Sequence, residues 1–445
     1  MQYMNMCRPK NLTVFLLSCF IVVIALTGCV EPKHSFEKLP AGPWRGVLLL
    51  DRNPVVKFGD DRDVAKKFDF DSELPFLFDI VQEDNGKWFA VFRNGEEQIK
   101  ITDVSFGRAT ISSKDTVRID FKAFDTYITA IYEDGVMEGH WHVPYRDNYA
   151  IPFKAVFGQN HLFAHDSEKS DIQAGGKWKV TFEPGTPDAY PAVGEFQQNG
   201  NKISGTFLTE TGDYRYLDGH MLGKKLYMSA FDGAHAFLFV GKMLENGSIT
   251  GTFRSGKHHT ASWEAVKDEN ASLADPYLLT KAKSSDPIDF TFPNPDGQQI
   301  SLSDDAYQGK IKLIQIMGTW CPNCMDELQM IQEYLQTEKP EDVAVISLAF
   351  ERYREKEKAL KVLKTYKAKT KMAHEILWGG YYDKKEALKQ LPQLDTIMSY
   401  PTLLYVDKYN QIRKVYTGFS GPATPAYEKQ KSEFKSTINA IRNSE

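Results

Sequence analysis

Ile311-Lys312-Leu313-Ile314-Gln315-Ile316 leads almost directly into Trp320-Cys321-Pro322-Asn323-Cys324, after which Leu328, Ile331 and Leu335 follow Cys324 at helical spacing. The first run reads as a buried strand and the second pattern as a helix with one apolar face, so the two cysteines stand where a strand passes into a helix. Pro322 fits an early helix position, since its missing N–H would have had no partner there. Unpaired backbone N–H groups and the helix macrodipole favour an anion at such an end, which makes Cys321 the expected attacking thiolate. Cys324, one turn deeper and less exposed, is expected to resolve the mixed disulfide that results.

The other cysteines sharpen this reading. The chain has five, and Cys7 and Cys19 fall in an N-terminal stretch with a basic start, Met4 to Lys10, and an apolar run, Leu12 to Leu26, too short to span a bilayer comfortably. That run ends in Leu26-Thr27-Gly28-Cys29, which resembles a bacterial lipobox. The resemblance implies that residues 1–28 are a signal peptide, that Cys29 is acylated and that residues 29–40 are a tether. A retained signal anchor with Cys29 incidental is the alternative. Acyl chains contribute about 0.8 kcal/mol per buried methylene and hold a protein on a membrane without a transmembrane helix. The expected location is therefore the bacterial cell envelope, lipid-anchored and facing the periplasm. Disulfides persist there, yet beyond Cys29 only Cys321 and Cys324 remain, so the pair reads as a working redox dithiol rather than a staple.

A chain of 445 residues exceeds what one core usually organises. The net charge of −5 and the absence of a basic patch interleaved with aromatics argue against a nucleic-acid partner. Up to about Val266, short β-like runs rich in aromatics are broken by Asn-Gly, Asp-Gly and Gly-Ser turns; from Asp289 onward strands alternate with amphipathic helices. The β region looks duplicated. Gly42-Pro43-Trp44 resembles Gly176-Lys177-Trp178, Asn85-Gly86 resembles Asn199-Gly200, and Ala123-Phe124-Asp125 resembles Ala230-Phe231-Asp232. The expected organisation is two similar, mostly antiparallel barrels or sandwiches at 41–165 and 172–267, a linker at 268–287 and an α/β domain at 288–445. The first unit carries an extra charged stretch, Lys57 to Asp71, expected as a loop or short helix. In the α/β part the expected order is β, α, β, α, a helical insert, a β-hairpin from Thr402–Val406 and Ile412–Tyr416, and a last helix with Thr424 as N-cap and Pro425 in the first turn.

A strand, then Trp-Cys-Xaa-Xaa-Cys opening a helix, then Ser399-Tyr400-Pro401-Thr402 leading into a strand, resembles the thioredoxin fold, and more closely the TlpA/ResA-type membrane-anchored thiol-disulfide oxidoreductases, over about residues 285–445. Gly418-Phe419-Ser420-Gly421-Pro422 is also similar to what such domains carry before their last helix. The resemblance implies a redox-active Cys321–Cys324 disulfide, flanked by Trp320, Pro322 and Asn323. It makes Pro401 a cis-proline facing the dithiol, set between Tyr400 and Thr402, with its neighbour's backbone offered to a substrate strand. Thioredoxins place a buried acid where this chain has Gln315, and a neutral amide cannot shuttle a proton. Glu327, where TlpA/ResA-type proteins carry a glutamate, is the expected proton relay; an ordinary first-turn helix glutamate is the alternative.

No cofactor is expected, and no metal. A zinc site needs four ligands, and no second CxxC or His-x3-His completes one; His258 and His259 sit at a β turn, and His140 and His142 on a strand-like run. The partners implied are protein thiols and disulfides and, for a reductive role, a membrane electron donor. A thiol peroxidase would expect a threonine where Gly318 stands. A third reading is a binding lipoprotein whose β units recognise a partner. The residues alone do not fix the direction of electron flow, which tens of millivolts decide.

Overall fold

The computed structural model describes residues 39–51, 71–109, 114–164 and 171–444. The leader, Cys29, nearly all of the tether and almost all of the charged stretch from Lys57 lie outside them.

Period-two alternation builds the β region. Strand Thr126–Glu133 buries Thr126, Ile128, Ala130 and Tyr132 and turns Tyr127, Thr129 and Ile131 outward. Among the described residues the first sheet has nine antiparallel strands, in which Gly42–Leu49 pairs with both the next strand, Glu73–Gln82, and the last, Ala150–Phe157. The second sheet starts in the same way, Gly176–Phe182 pairing with Tyr190–Asn199 and His259–Lys267. It differs in closing on itself, because Tyr190–Asn199 also pairs with Lys202–Thr209. The first remains open between Glu97–Ile101 and Val104–Arg108. The matching tryptophans hold matching positions: Trp44 Nε1 donates to Pro40 O and Trp178 Nε1 to Ala174 O, and both rings are buried. Burying such a ring stabilises by on the order of 4–6 kcal/mol, as an upper estimate.

The second sheet plugs the first. Phe231 lies tilted against Phe76, 4.4 Å from ring centre to ring centre, and meets Phe121 and Trp141 edge-on. The Asn94 amide fixes it there, donating to Phe231 O at 3.1 Å and accepting from Phe231 N at 2.9 Å. At Gly233, with φ of +88°, a Cβ would overlap the Phe121 ring, so only glycine suits this turn.

The C-terminal part is a five-stranded sheet in the order Glu375–Tyr381, Val343–Glu351, Ile311–Met317, Thr402–Val406, Ile412–Thr417. The first three strands run parallel and the last two antiparallel. Every residue of the central strand Ile311–Met317 is buried, as its continuous apolar run implies. Helices Pro322–Glu338, Lys356–Lys369, Lys384–Gln390 and Ala426–Asn443 accompany the sheet. Two expectations are corrected. The helical insert holds an edge strand, Glu375–Tyr381, whose Gly379-Gly380 pair interrupts the β signal and follows a register shift at Ala349/Phe350. Thr424 does not cap the last helix: its hydroxyl donates to Gly421 O at 2.9 Å, and Pro425 occupies the cap position.

Candidate redox site

The central strand ends at Met317, and four residues later the chain enters the helix Pro322–Glu338, with Cys321 as its N-cap. Cys321 and Cys324 are joined as a disulfide. Cys321 Sγ accepts from the Cys324 backbone N–H at 3.1 Å, the interaction that would stabilise a thiolate. Cys321 is 6% exposed and Cys324 0%, so Cys321 is the outer residue of the pair and Cys324 the inner.

Tyr400–Pro401 is a cis peptide, and Tyr400 O lies 3.5 Å from Cys321 Sγ. Thr402 Oγ1 donates to Ser399 O at 2.8 Å and pins that turn. Trp320 meets the Tyr382 and Tyr400 rings edge-on, and its indole N–H donates to Phe350 O at 3.0 Å. At Gly318 an added Cβ would overlap the Trp320 indole, so the threonine a peroxidase would need has no room.

Behind the sulfurs, Glu327 and Gln315 are fully buried and meet. Gln315 Nε2 donates to Glu327 Oε2 at 3.0 Å and to Cys324 O at 2.9 Å, while Ser347 Oγ donates to Gln315 Oε1 at 2.9 Å. Burial pushes the Glu327 carboxyl up to about 8 against the opposing pull of that amide, and its Oε1 has no partner. Gln315 therefore orients this buried carboxyl.

Three neighbours escaped the sequence reading. Glu351, also buried, accepts from Thr319 N and Oγ1 at 2.9 Å each, beside Trp320, and burial pushes it up to about 7. Asp326 pairs with Arg215 of the second sheet, whose guanidinium also pairs with Glu97 and lies 3.7 Å from Asp232. Burial pushes Asp326 up to about 7 although Arg215 opposes it, as expected where one guanidinium serves several acids. Neither a periodicity nor a spacing signals these contacts; an unusually placed charge on the buried face of a helix is the only hint.

The segment around Arg215 also covers the dithiol. Asn323 Nδ2 donates to Asp213 O at 3.2 Å, Gly421 N donates to Asp213 Oδ2 at 2.6 Å, and Ser399 Oγ donates to Thr211 O at 2.7 Å. A Cβ on Gly212 would overlap the Asn323 amide. The motif, the cis-proline turn and the Gly418–Pro422 loop, three segments brought together by the fold, thus share one lid from the β region. Of the histidines, His258 lies in the turn before the strand His259–Lys267, which begins at His259, and His140 and His142 lie on Val136–His142.

Residues 281–431 match the Redoxin family, and with this sheet, dithiol and cis-proline they form a thioredoxin-like domain. No curated protein matches the chain. Among solved structures, the chain is similar to StoA from Bacillus subtilis, at 19% identity over 34% of this chain and 98% of that one, with a TM-score of 0.25. It is similar to a thiol-disulfide oxidoreductase from Bacteroides fragilis, at 18% over 34% and 98%, TM-score 0.25. The exposed lipoprotein thioredoxin Etrx1 from Streptococcus pneumoniae gives 21% over 35% and 100%, TM-score 0.27.

Proposed function

We propose that this protein is an extracytoplasmic thiol-disulfide oxidoreductase, anchored through acylated Cys29, that exchanges disulfides with protein substrates through Cys321 and Cys324 in the reducing direction. The observation that carries the reading is Cys321 at a helix N-cap, its sulfur accepting a backbone N–H and facing a cis-proline turn, with Cys324 buried behind it. In the reduced protein the Cys321 thiolate attacks a substrate disulfide, one substrate sulfur leaves as a thiol, and Cys324 attacks Cys321 to release the second. Two electrons pass to the substrate, and a membrane electron donor restores the dithiol. Glu327 would take and return the Cys324 proton, and a buried carboxyl one turn away does not favour a second anion, which supports a reductant over an oxidant. The two β units, similar in their first strands and tryptophans, are proposed as copies of one design that position partners at residues 41–165 and 172–267.

Insulin reduction tests the proposal. It should vanish in Cys321→Ser, while Cys324→Ser should accumulate mixed disulfides with substrates; accumulation in the Cys321 variant alone would reverse the two roles. Peroxide turnover at the rate of dedicated peroxidases would replace this function with a peroxidatic one.

A further inference from the structure

A cavity of about 460 Å³ opens where both β sheets meet the redox domain, and one of its walls is Trp320, the residue directly before Cys321. Its size is that of a small-ligand site. Its charge is one-sided. Arg146, Arg352, His235, His258 and His259 line it, and no aspartate or glutamate does.

The two guanidiniums are held without carboxylates. Arg352 lies over the rings of Trp320, Tyr145 and Tyr382, at 4.4, 4.7 and 5.1 Å, and its Nε has no hydrogen-bond partner. Arg146 reaches His258 Nε2 at 3.2 Å, and His258 Nδ1 reaches Tyr149 Oη at 2.9 Å. Because the guanidinium can only donate, Nε2 accepts and His258 is neutral with its proton on Nδ1. Burial first, then the positive charges of Arg146 and Arg352, push its imidazole down to about 4. Of the carboxylates behind the wall, Asp232 lies 3.3 Å from His235 Nδ1 and Glu351 accepts from Thr319, and neither forms an ion pair with Arg146 or Arg352. A positive, aromatic-walled cavity with donors to spare suits an anion attached to an apolar or planar body.

We propose that this cavity is a substrate subsite, which binds a carboxylate-bearing group flanking the cysteine sulfur that Cys321 attacks. The inference rests on the dithiol exchange proposed above and adds its specificity. The carboxylates can belong to a small free disulfide, or to an acidic peptide segment beside a disulfide-bonded protein cysteine. The Thr211 to Asp213 segment already lies against Ser399 and Asn323, whereas the cavity borders Trp320. In the exchange, the Cys321 thiolate bonds one sulfur of R–S–S–R and releases RS⁻, which takes a proton. Cys324 then attacks Cys321, the enzyme disulfide forms, and the second RS⁻ leaves and is protonated. One disulfide is made for one broken, and two electrons move to the ligand.

The experiment uses the full chain with three model disulfides: glutathione disulfide (anionic), 2-hydroxyethyl disulfide (neutral) and cystamine (cationic). The reduced wild-type protein should react about tenfold or more faster with glutathione disulfide than with cystamine, the factor expected for one charge-assisted contact. Raising salt from about 0.02 to 0.5 M should shrink that ratio severalfold, and Arg146→Gln should lower it about tenfold. A peptide disulfide with aspartates beside its cysteine, against the same peptide with serines, separates the sources; a preference for either the aspartate peptide or glutathione disulfide supports the subsite. Quenching of tryptophan fluorescence by S-methylglutathione, which cannot exchange, reads binding without chemistry. A protein that binds S-methylglutathione in an Arg146-dependent way but reduces none of the three disulfides keeps the subsite and loses the redox function. Equal rates for the anionic and cationic disulfides, insensitive to salt, overturn the subsite even where the chemistry proceeds.

Discussion

Gln315 Nε2 donates to Glu327 Oε2 at 3.0 Å, and the same amide holds the carbonyl of Cys324 at 2.9 Å, so one neutral side chain ties the buried acid to the backbone of the buried cysteine. The acid sits on the helix and the amide on the central strand, one hydrogen bond apart.

Glu327→Gln should therefore separate proton handling from folding. Burial raises the folded carboxyl to about 8 from its ordinary value of 4.5, so the folded protein binds this proton more tightly than the unfolded chain. Its contribution to stability falls as pH rises from about 4.5 and levels off above about 8. Denaturant melts of the oxidised variant should match wild type near pH 4 and gain on the order of 2–4 kcal/mol over it near pH 8. In the reduced variant, resolution of mixed disulfides should slow and the pH profile of thiol reactivity should shift. Melts and exchange rates that track wild type at every pH would leave Glu327 without a role.

Arg215→Met should destabilise by on the order of 3–5 kcal/mol at neutral pH, because it strands buried acids around Asp326 and Glu97. The loss should shrink on acidification, as those carboxyls neutralise, and Arg215→Lys should recover only part of it. A Tm at neutral pH within a degree of wild type would show that the cluster adds nothing to the joint.

Residues 285–445 expressed alone should fold and exchange disulfides, and should reduce insulin faster than the full chain, since the lid that Thr211 and Asp213 place on Ser399 and Asn323 is gone. A soluble fragment slower than the full chain would mean that substrate binding by the β region outweighs its screening of the dithiol, and an insoluble one would move the boundary.

Cys29→Ser should release the protein from membranes into the aqueous phase on detergent partitioning, because the acyl chains would be lost along with leader removal. Undiminished membrane association of the serine variant would mean that a retained apolar leader is the anchor.

Local order was legible in the chain. The apolar run Ile311 to Ile316, the WCPNC motif and the i, i+4 and i, i+7 spacing after Cys324 fix a strand, a helix and a sulfur at the helix cap, because periodicity and capping act over a few residues. The hairpin Thr402–Val406 and Ile412–Thr417 was legible for the same reason, and so were the alternating β runs. Only the tertiary structure decided which partners those residues meet. Arg215 and Asp326 are 111 residues apart in the chain, and Asn323 and Asp213 are 110 apart. The edge strand Glu375–Tyr381 needed the neighbouring Val343–Glu351 to pair with, since its glycine pair carries little β preference of its own. Glu351 was unremarkable as a strand-end acid until folding buried it against Thr319. Burial sets the charge state of Glu327, Glu351 and Asp326, and burial is a sum over segments that meet only when the chain has folded.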